Sequence, residues 1–210
     1  MLPLFTIFLS SFVIALSGAL MPGPLLTVTI SESPRRGPAT GPRLIVGHAL
    51  LEIALVMGIF LGLAPLLRQP EVFTAIALSG AAILSWMALG MFRALPTLRL
   101  TAEDGAPQAR SLVLAGILMS LANPYWIVWW VTIGLGYILQ SHAYGLWGVA
   151  FFFLGHILAD FLWYSAISMA VARGGRLLND RLYRGLTGTC AAFLILFAGY
   201  FFYAGLKAFF

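Results

Sequence analysis

Apolar residues run along this chain in six long stretches, separated by short segments that carry most of its charged residues. Each stretch has about 20 residues or more, which lets a helix rising ~1.5 Å per residue cross ~30 Å of hydrocarbon. The pattern therefore predicts an all-α integral membrane protein with six transmembrane helices. The stretches lie at residues 2–30, 44–67, 72–94, 111–140, 144–172 and 185–209.

The first and fourth stretches each contain a helix-breaking element. Pro22, Gly23 and Pro24 stand in the first, and each proline removes an amide donor and clashes with the preceding turn. Asn123 and Pro124 stand at a similar place in the fourth, where the asparagine amide is expected to satisfy carbonyl groups left unpaired. Packed proline kinks would explain either site alone. Breaks at matching places favour a binding site, because half-helix ends present unpaired polar groups to a substrate.

A polar motif in the second stretch recurs in the fifth. His48 and Glu52 match His156 and Asp160 at an offset of 108 residues, and a glycine precedes each histidine. Three crossings in each half would place the second half upside down relative to the first, which is a common plan of transporters. We therefore predict two inverted three-helix repeats with broken helices 1 and 4. The repeats are residues 1–100 and 111–210, with a cytoplasmic linker at 101–110.

Composition and charge narrow the class of protein. Of the 210 residues 61% are hydrophobic and 9% charged, and the mean hydropathy of +0.96 excludes a soluble domain. The net charge of +5 does not indicate a nucleic-acid partner, because the basic residues concentrate in alternate connections between stretches. The positive-inside rule places these connections in the cytoplasm and both termini outside, in a prokaryotic inner membrane. The residues are Arg35, Arg36, Arg43, Arg93, Arg99, Arg110, Arg173, Arg176, Arg181 and Arg184.

His48, Glu52, His156 and Asp160, here called the quartet, form the main candidate site. The spacing of four residues within each pair puts an imidazole and a carboxylate on one helix face. An acidic residue at mid-membrane costs about 2.5 to 3.5 kcal/mol on insertion scales, so two of them call for a compensating role.

Three interpretations of the quartet stay open at the level of the sequence. The first is structural, with each acid and histidine hydrogen-bonded to lock helices together. The second is proton coupling, since a carboxylate in low dielectric favours its neutral form and a histidine titrates near neutrality. The third is divalent metal transport, with His48, Glu52, His156 and Asp160 as the ligands.

An aromatic run follows the second break and comprises Tyr125, Trp126, Trp129 and Trp130. Tryptophan favours membrane boundaries, so interface anchoring or packing is the first interpretation. The alternative makes part of the run a wall for an organic substrate or a cation. We include Trp126 in the candidate substrate path.

At these residues the chain resembles the LysE/RhtB family of small exporters. The matches are the Pro22 to Pro24 element after an N-terminal apolar run, the basic link after it, and the Asn123 to Pro124 element in the fourth helix. The resemblance implies a six-helix homodimeric carrier that expels amino acids or related metabolites using the proton motive force. It also implies that both elements line the substrate path.

The resulting prediction is a secondary exporter, not an enzyme, in which two inverted units rock around a central site. Glu52 and Asp160 are the predicted proton-coupled residues, with His48 and His156 as relay or orienting partners. The expected partners are lipids, protons and a small-molecule substrate, and no cofactor is expected. The sequence has no Walker-type glycine loop, which argues against ATP as the energy source. A metal transporter is the alternative, and an intramembrane enzyme ranks low because no nucleophile constellation accompanies the acids.

Overall fold

The computed structural model describes residues 2–67, 69–98, 111–174 and 180–209, and every regular element within these ranges is helical. Five of its helices are long and apolar enough to cross a membrane, where the sequence predicts six. The fourth apolar stretch is instead divided among shorter helices. The helices are α1 (Leu2–Ala19), α2 (Pro24–Arg36), α3 (Thr40–Gly58), α4 (Ala64–Leu67), α5 (Pro70–Ala94), α6 (Leu112–Leu121), α7 (Pro124–Trp129), α8 (Leu135–His142), α9 (Gly145–Arg173) and α10 (Asp180–Phe209).

The first apolar stretch breaks where its proline-glycine element predicts. Gly23 precedes α2 in an extended conformation (φ −147°, ψ −176°), and no side chain caps this helix start. Pro24 opens the helix, a position where the missing amide donor costs no helical hydrogen bond. The predicted end of this stretch is wrong, because α2 continues far enough for Arg35 and Arg36 to form its last turn.

The fourth stretch breaks at the asparagine-proline element. Asn123 precedes α7, and its side-chain oxygen accepts a hydrogen bond of 3.1 Å from the Tyr125 amide. The side-chain oxygen therefore caps a helix N-terminus. That the amide satisfies carbonyl groups left unpaired stays a prediction. A π-helical turn at Trp130–Gly134 then separates α7 from α8.

The second stretch is also interrupted, which its sequence does not signal. α3 ends at Gly58, and a kink follows within Ile59–Leu63, where the backbone of Gly62 is not helical. The φ of Gly62 is +100°, a conformation that suits a residue without a Cβ atom. The predicted second membrane-spanning stretch is therefore present at Thr40–Leu63, with a kink near its end.

Two helix crossings position the core of the protein. α1 packs against α9, and α6 packs against α3. In both crossings a glycine lets two backbones approach closely: a Cβ on Gly155 would collide with the Phe8 carbonyl, and one on Gly47 with the Val113 carbonyl. Small residues at such crossings allow the close backbone packing typical of membrane helices. α3 also contacts α9, and α5 packs along α10.

The inverted repeat remains a prediction, and the two crossings are consistent with it. Ser11 in α1 donates a hydrogen bond of 2.7 Å to the Phe152 carbonyl in α9. Shifting Ser11 by 105 residues gives Gly116, and shifting Phe152 back by 108 gives Leu44. A Cβ on Gly116 would collide with the Leu44 carbonyl. The same pairs of positions therefore meet in both halves.

Parts of the orientation argument lie outside the described residues. They are the predicted linker at 101–110 and three of the basic residues on which the positive-inside argument rests, Arg99, Arg110 and Arg176. The predicted placement of both termini outside the membrane accordingly stays a prediction.

Candidate functional site

A central cavity lies between the two helix breaks, which precede α2 and α7, and the helices α3 and α9. The volume of this cavity is about 50 Å³, which is enough for a few water molecules. Its lining includes all four members of the quartet together with Gly23 and Asn123 from the two breaks. The structure thus brings to one place most of the residues that the sequence singled out separately.

Glu52 lies at the centre of the quartet. Its Oε1 is 3.0 Å from Nε2 of His48 and 3.1 Å from Nε2 of His156, and the Glu52 side chain is only 1% exposed. One potential ligand atom from each member of the quartet lies within 4.8 Å of the others. The crossing of α3 and α9 therefore joins two motifs that are 108 residues apart in sequence.

Asp160 holds a looser position on the other side of the imidazoles. Its Oδ2 is 3.8 Å from Nε2 of His48 and 3.6 Å from Nε2 of His156. Both imidazoles consequently face both carboxylates. Two bases and two acids in such proximity can hold protons in several arrangements or receive a cation.

Two indole groups also bind Glu52. Trp126 and Trp130 donate N–H hydrogen bonds of 3.1 Å and 2.8 Å to the same Oε1 atom. An indole nitrogen donates only, so these bonds suit a negatively charged oxygen. The other oxygen, Oε2, is buried and has no hydrogen-bond partner among the described residues.

Ser120 fixes the orientation of one histidine. Its hydroxyl donates to the Gly116 carbonyl at 2.7 Å and lies 2.7 Å from Nδ1 of His48. With its proton directed to Gly116, the hydroxyl accepts from Nδ1–H of His48, which leaves Nε2 facing the carboxylates. Nδ1 of His156, in contrast, is buried without a hydrogen-bond partner among the described residues.

The tryptophan cluster lies in the protein interior. Trp129 and Trp130 are buried, and their ring centroids lie 4.8 Å and 5.3 Å from that of His156. Interface anchoring is therefore wrong for these two residues. Trp126 also lines the cavity, so the three rings form one wall around the quartet.

The two helix breaks meet at the cavity. A Cβ on Gly23 would lie 3.4 Å from Nδ2 of Asn123, so the starts of α2 and α7 are neighbours. Pro24 is buried where α2 begins, and Pro124 begins α7. Pro22 lines a smaller adjacent cavity that also includes Gly23 and Asn123.

Sequence reasoning missed Ser120 and Trp130 as members of the site. A lone serine in an apolar helix, three residues before Asn123, is the only available signal for Ser120. The hydrogen bond of Trp130, which follows α7, to Glu52 of α3 is a tertiary contact that residue spacing does not specify. Ser17, also missed, lies in α1 just before the first break and accepts a hydrogen bond of 3.3 Å from the Trp129 indole of α7.

Apolar helices, two of them broken around a buried ionisable cluster, define the protein as a multi-pass membrane transporter. A family model for LysE type translocators matches residues 16–205. The chain belongs to this family, whose members are transporters and not enzymes.

Three curated relatives are similar to this chain. A Bacillus subtilis protein named "Putative amino acid efflux protein YcgF" is 28% identical over 96% of this chain and 97% of its own length. An uncharacterized membrane protein of Pseudomonas aeruginosa is 31% identical over 66% of each chain. The chemotactic transduction protein ChpE of the same species is 30% identical over 75% of this chain and 78% of its own. No solved structure matches the chain.

Proposed function

We propose that this protein exports amino acids or related small metabolites across a prokaryotic inner membrane by proton antiport. The observation that carries the proposal is the quartet, which lines one cavity with the starts of α2 and α7. In this account residues 1–100 and 111–210 form two inverted units, with both termini outside. The carrier is a homodimer, and its units alternate access to the cavity.

Proton coupling follows from the position of Glu52. Its Oε1 lies within hydrogen-bonding distance of Nε2 of both histidines, so a proton on either Nε2 atom is shared with the same carboxylate. Oδ2 of Asp160 faces the same two nitrogen atoms from farther away, at 3.8 Å and 3.6 Å. A cationic group of a substrate that reaches these acids competes with the protons, and this competition couples the two fluxes in opposite directions.

Helix breaks supply the substrate contacts in this proposal. Gly23, Asn123 and Trp126 line the cavity, whereas Pro22, Pro24 and Pro124 shape the backbone around it. Freed backbone groups within a membrane are tolerated where they line such a cavity. Rocking of the two units would expose the same contacts to each side in turn.

Family membership supports amino acids over metal ions as the substrate. The relative that covers nearly the whole chain is named for amino acid efflux. The quartet has the donor set of a divalent-cation site, but the family comparison does not favour metal transport. Metal ions therefore enter the test as the competing outcome.

Inside-out membrane vesicles test the proposal directly. Respiration acidifies their interior, and a pH-sensitive dye reports the gradient. Adding a substrate amino acid outside should let protons leave through the antiporter and restore dye fluorescence. Replacing both acids, with Glu52→Gln and Asp160→Asn, should abolish this response.

Glu71→Gln is the matched control, because Glu71 is an exposed acid in the first turn of α5. This variant should respond as the wild type does. A response to Mn²⁺, Zn²⁺ or Cd²⁺ without any response to the twenty amino acids would contradict the proposal.

A further inference from the structure

The first turn of α2 begins beside the cavity and has amide groups without a helical acceptor. The first helical bond joins the Thr27 amide to the Gly23 carbonyl at 3.0 Å, so the preceding amides of Leu25 and Leu26 have no helical acceptor. No side chain of the described residues caps this end of α2, a helix of 13 residues, and Gly23 and Leu25 line the cavity. Free amides and the helix dipole together favour an anionic group here.

Glu52, which lines the same cavity, has a buried anionic atom without a partner in the described part of the chain. Oε2 of Glu52 is buried and has no hydrogen-bond partner among the described residues, although Oε1 is surrounded by four nitrogen atoms. A buried carboxylate oxygen without a donor is costly unless a ligand supplies one. An ammonium group supplies three N–H donors and a positive charge.

We propose that this cavity holds an α-amino acid by both of its charged groups after opening beyond the volume of about 50 Å³ that it has in this conformation. Its carboxylate binds the amides at the start of α2, and its ammonium group binds Oε2 of Glu52. This inference rests on the proposed function and deepens it, because it specifies which chemical groups a transported molecule needs. An amine without a carboxylate, or an acid without an amine, satisfies only one of the two points.

The remaining wall selects the side chain of the substrate. Among the described lining residues none is lysine or arginine, and most of those outside the quartet are apolar or aromatic. A neutral side chain fits such a wall, whereas a charged one would lose hydration without gaining a partner. The wall residues include Ala15, Gly18, Ala19, Met21, Trp126 and Trp129.

Analogues of leucine test the two-point arrangement on the wild-type chain. Ligand binding to the purified protein is read from tryptophan fluorescence, because Trp126, Trp129 and Trp130 line the cavity. L-Leucine should bind at least about tenfold more tightly than leucine methyl ester, isopentylamine or 4-methylpentanoate, since each analogue loses one charged hydrogen-bonded group. L-Lysine and L-glutamate should also bind more weakly than L-leucine. Equal affinity for leucine and any single-group analogue would overturn the proposal.

Gly23→Asp tests the carboxylate point separately. The backbone at Gly23 is extended, and a Cβ added there would meet no atom closer than 3.4 Å, so this position accepts a side chain. Aspartate at this position would cap α2 and occupy the amides that the substrate carboxylate needs. Gly23→Ala adds the Cβ without the carboxylate. Affinity for leucine should fall at least about tenfold more in Gly23→Asp than in Gly23→Ala, and equal losses would contradict the proposal.

Glu52→Gln tests the ammonium point. This variant should weaken L-leucine binding more than it weakens 4-methylpentanoate binding, because only leucine has the ammonium group. Equal effects on both ligands would contradict the assignment of Glu52.

The vesicle assay separates this proposal from the exporter proposal. If amino acids drive proton movement but leucine methyl ester binds as tightly as leucine, the two-point arrangement is wrong and the exporter function stands. If no amino acid drives proton movement, the exporter function is wrong and the binding proposal falls with it.

Discussion

The Ser120 hydroxyl lies 2.7 Å from Nδ1 of His48, and this bond has no equivalent at the second histidine. In the predicted repeat, the offset of 105 residues that relates the two crossings pairs Ser120 with Ala15, a buried residue without a hydroxyl group. The two halves of the quartet therefore have matching residue types, one histidine and one acid each, but the two histidines differ in their hydrogen-bond partners. His48 is fixed on both ring nitrogens, whereas His156 is fixed through Nε2 alone.

Replacing Ser120 by alanine should change the pH dependence of transport. The protonated His48 ring needs an acceptor at each nitrogen, and this substitution removes the one at Nδ1. We expect the pH of half-maximal efflux to move to lower values and stability to fall by about 1 to 3 kcal/mol. A pH profile of efflux and thermal unfolding in detergent measure the two effects.

Ser168→Ala provides the control for that substitution. Ser168 is also buried and donates a hydrogen bond of 2.8 Å to the Pro38 carbonyl, away from the quartet. It should lose stability without a shift of the pH profile. Identical profiles for Ser120→Ala and Ser168→Ala would show that Ser120 has a structural role only.

Removing one indole donor from Glu52 should weaken transport. Trp130→Phe keeps an aromatic ring against Phe152 and deletes the 2.8 Å hydrogen bond to Oε1. Bonds to charged groups contribute about 1.5 to 3 kcal/mol, so we expect roughly a tenfold or larger loss in the efflux rate. Trp163→Phe is the comparison, because the Trp163 indole has no hydrogen-bond partner among the described residues. Equal loss in both variants would remove the indole bond as the cause.

Alanine at the two crossing glycines should destabilise the fold. A Cβ on Gly47 or Gly155 collides with a backbone carbonyl of the helix it crosses, which cannot rotate away as a side chain would. We expect each substitution to cost about 1 to 3 kcal/mol or more, measured as a lower Tm. Gly90→Ala, with no atom within 4 Å of the added Cβ, should be neutral or stabilising. A Tm unchanged in Gly47→Ala would refute the close crossing of α3 and α6.

The predicted orientation can be tested by cysteine labelling. Buried Cys190 is the only native cysteine, and Cys190→Ser gives a background for single exposed cysteines. A membrane-impermeant maleimide should label Gln140→Cys in intact cells and Thr97→Cys only after permeabilisation. Both positions are exposed, so the reverse result would mean that the termini lie inside.

The broken helices and the quartet were accessible to sequence reasoning for a clear reason. Proline and glycine act on the backbone locally, so the breaks at Gly23 and Asn123 follow from the residues themselves. Ionisable residues in apolar helices are costly, which makes His48 and Glu52 conspicuous without any structure.

The environment of the quartet depends on tertiary contacts that residue spacing does not reveal. Trp130 lies in the π-helical turn after α7, where it is buried and donates its indole N–H to Glu52 of α3. The preference of tryptophan for membrane interfaces predicted a boundary position instead, whereas Trp130 is buried and hydrogen-bonded to Glu52. The kink at Gly62 was missed because the residues around it are as apolar as those of a regular helix.

Efflux from proteoliposomes tests the central claim most directly. Vesicles containing the purified full chain are loaded with mixed amino acids, and separately with Mn²⁺, Zn²⁺ and Cd²⁺, with and without an imposed proton gradient. Particular amino acids should leave the wild-type and Glu71→Gln vesicles only when the gradient is present. The Glu52→Gln, Asp160→Asn double variant should release none of them. Amino acid efflux that ignores the gradient or survives in the double variant, or metal flux without amino acid flux, would contradict proton-coupled amino acid export through the quartet.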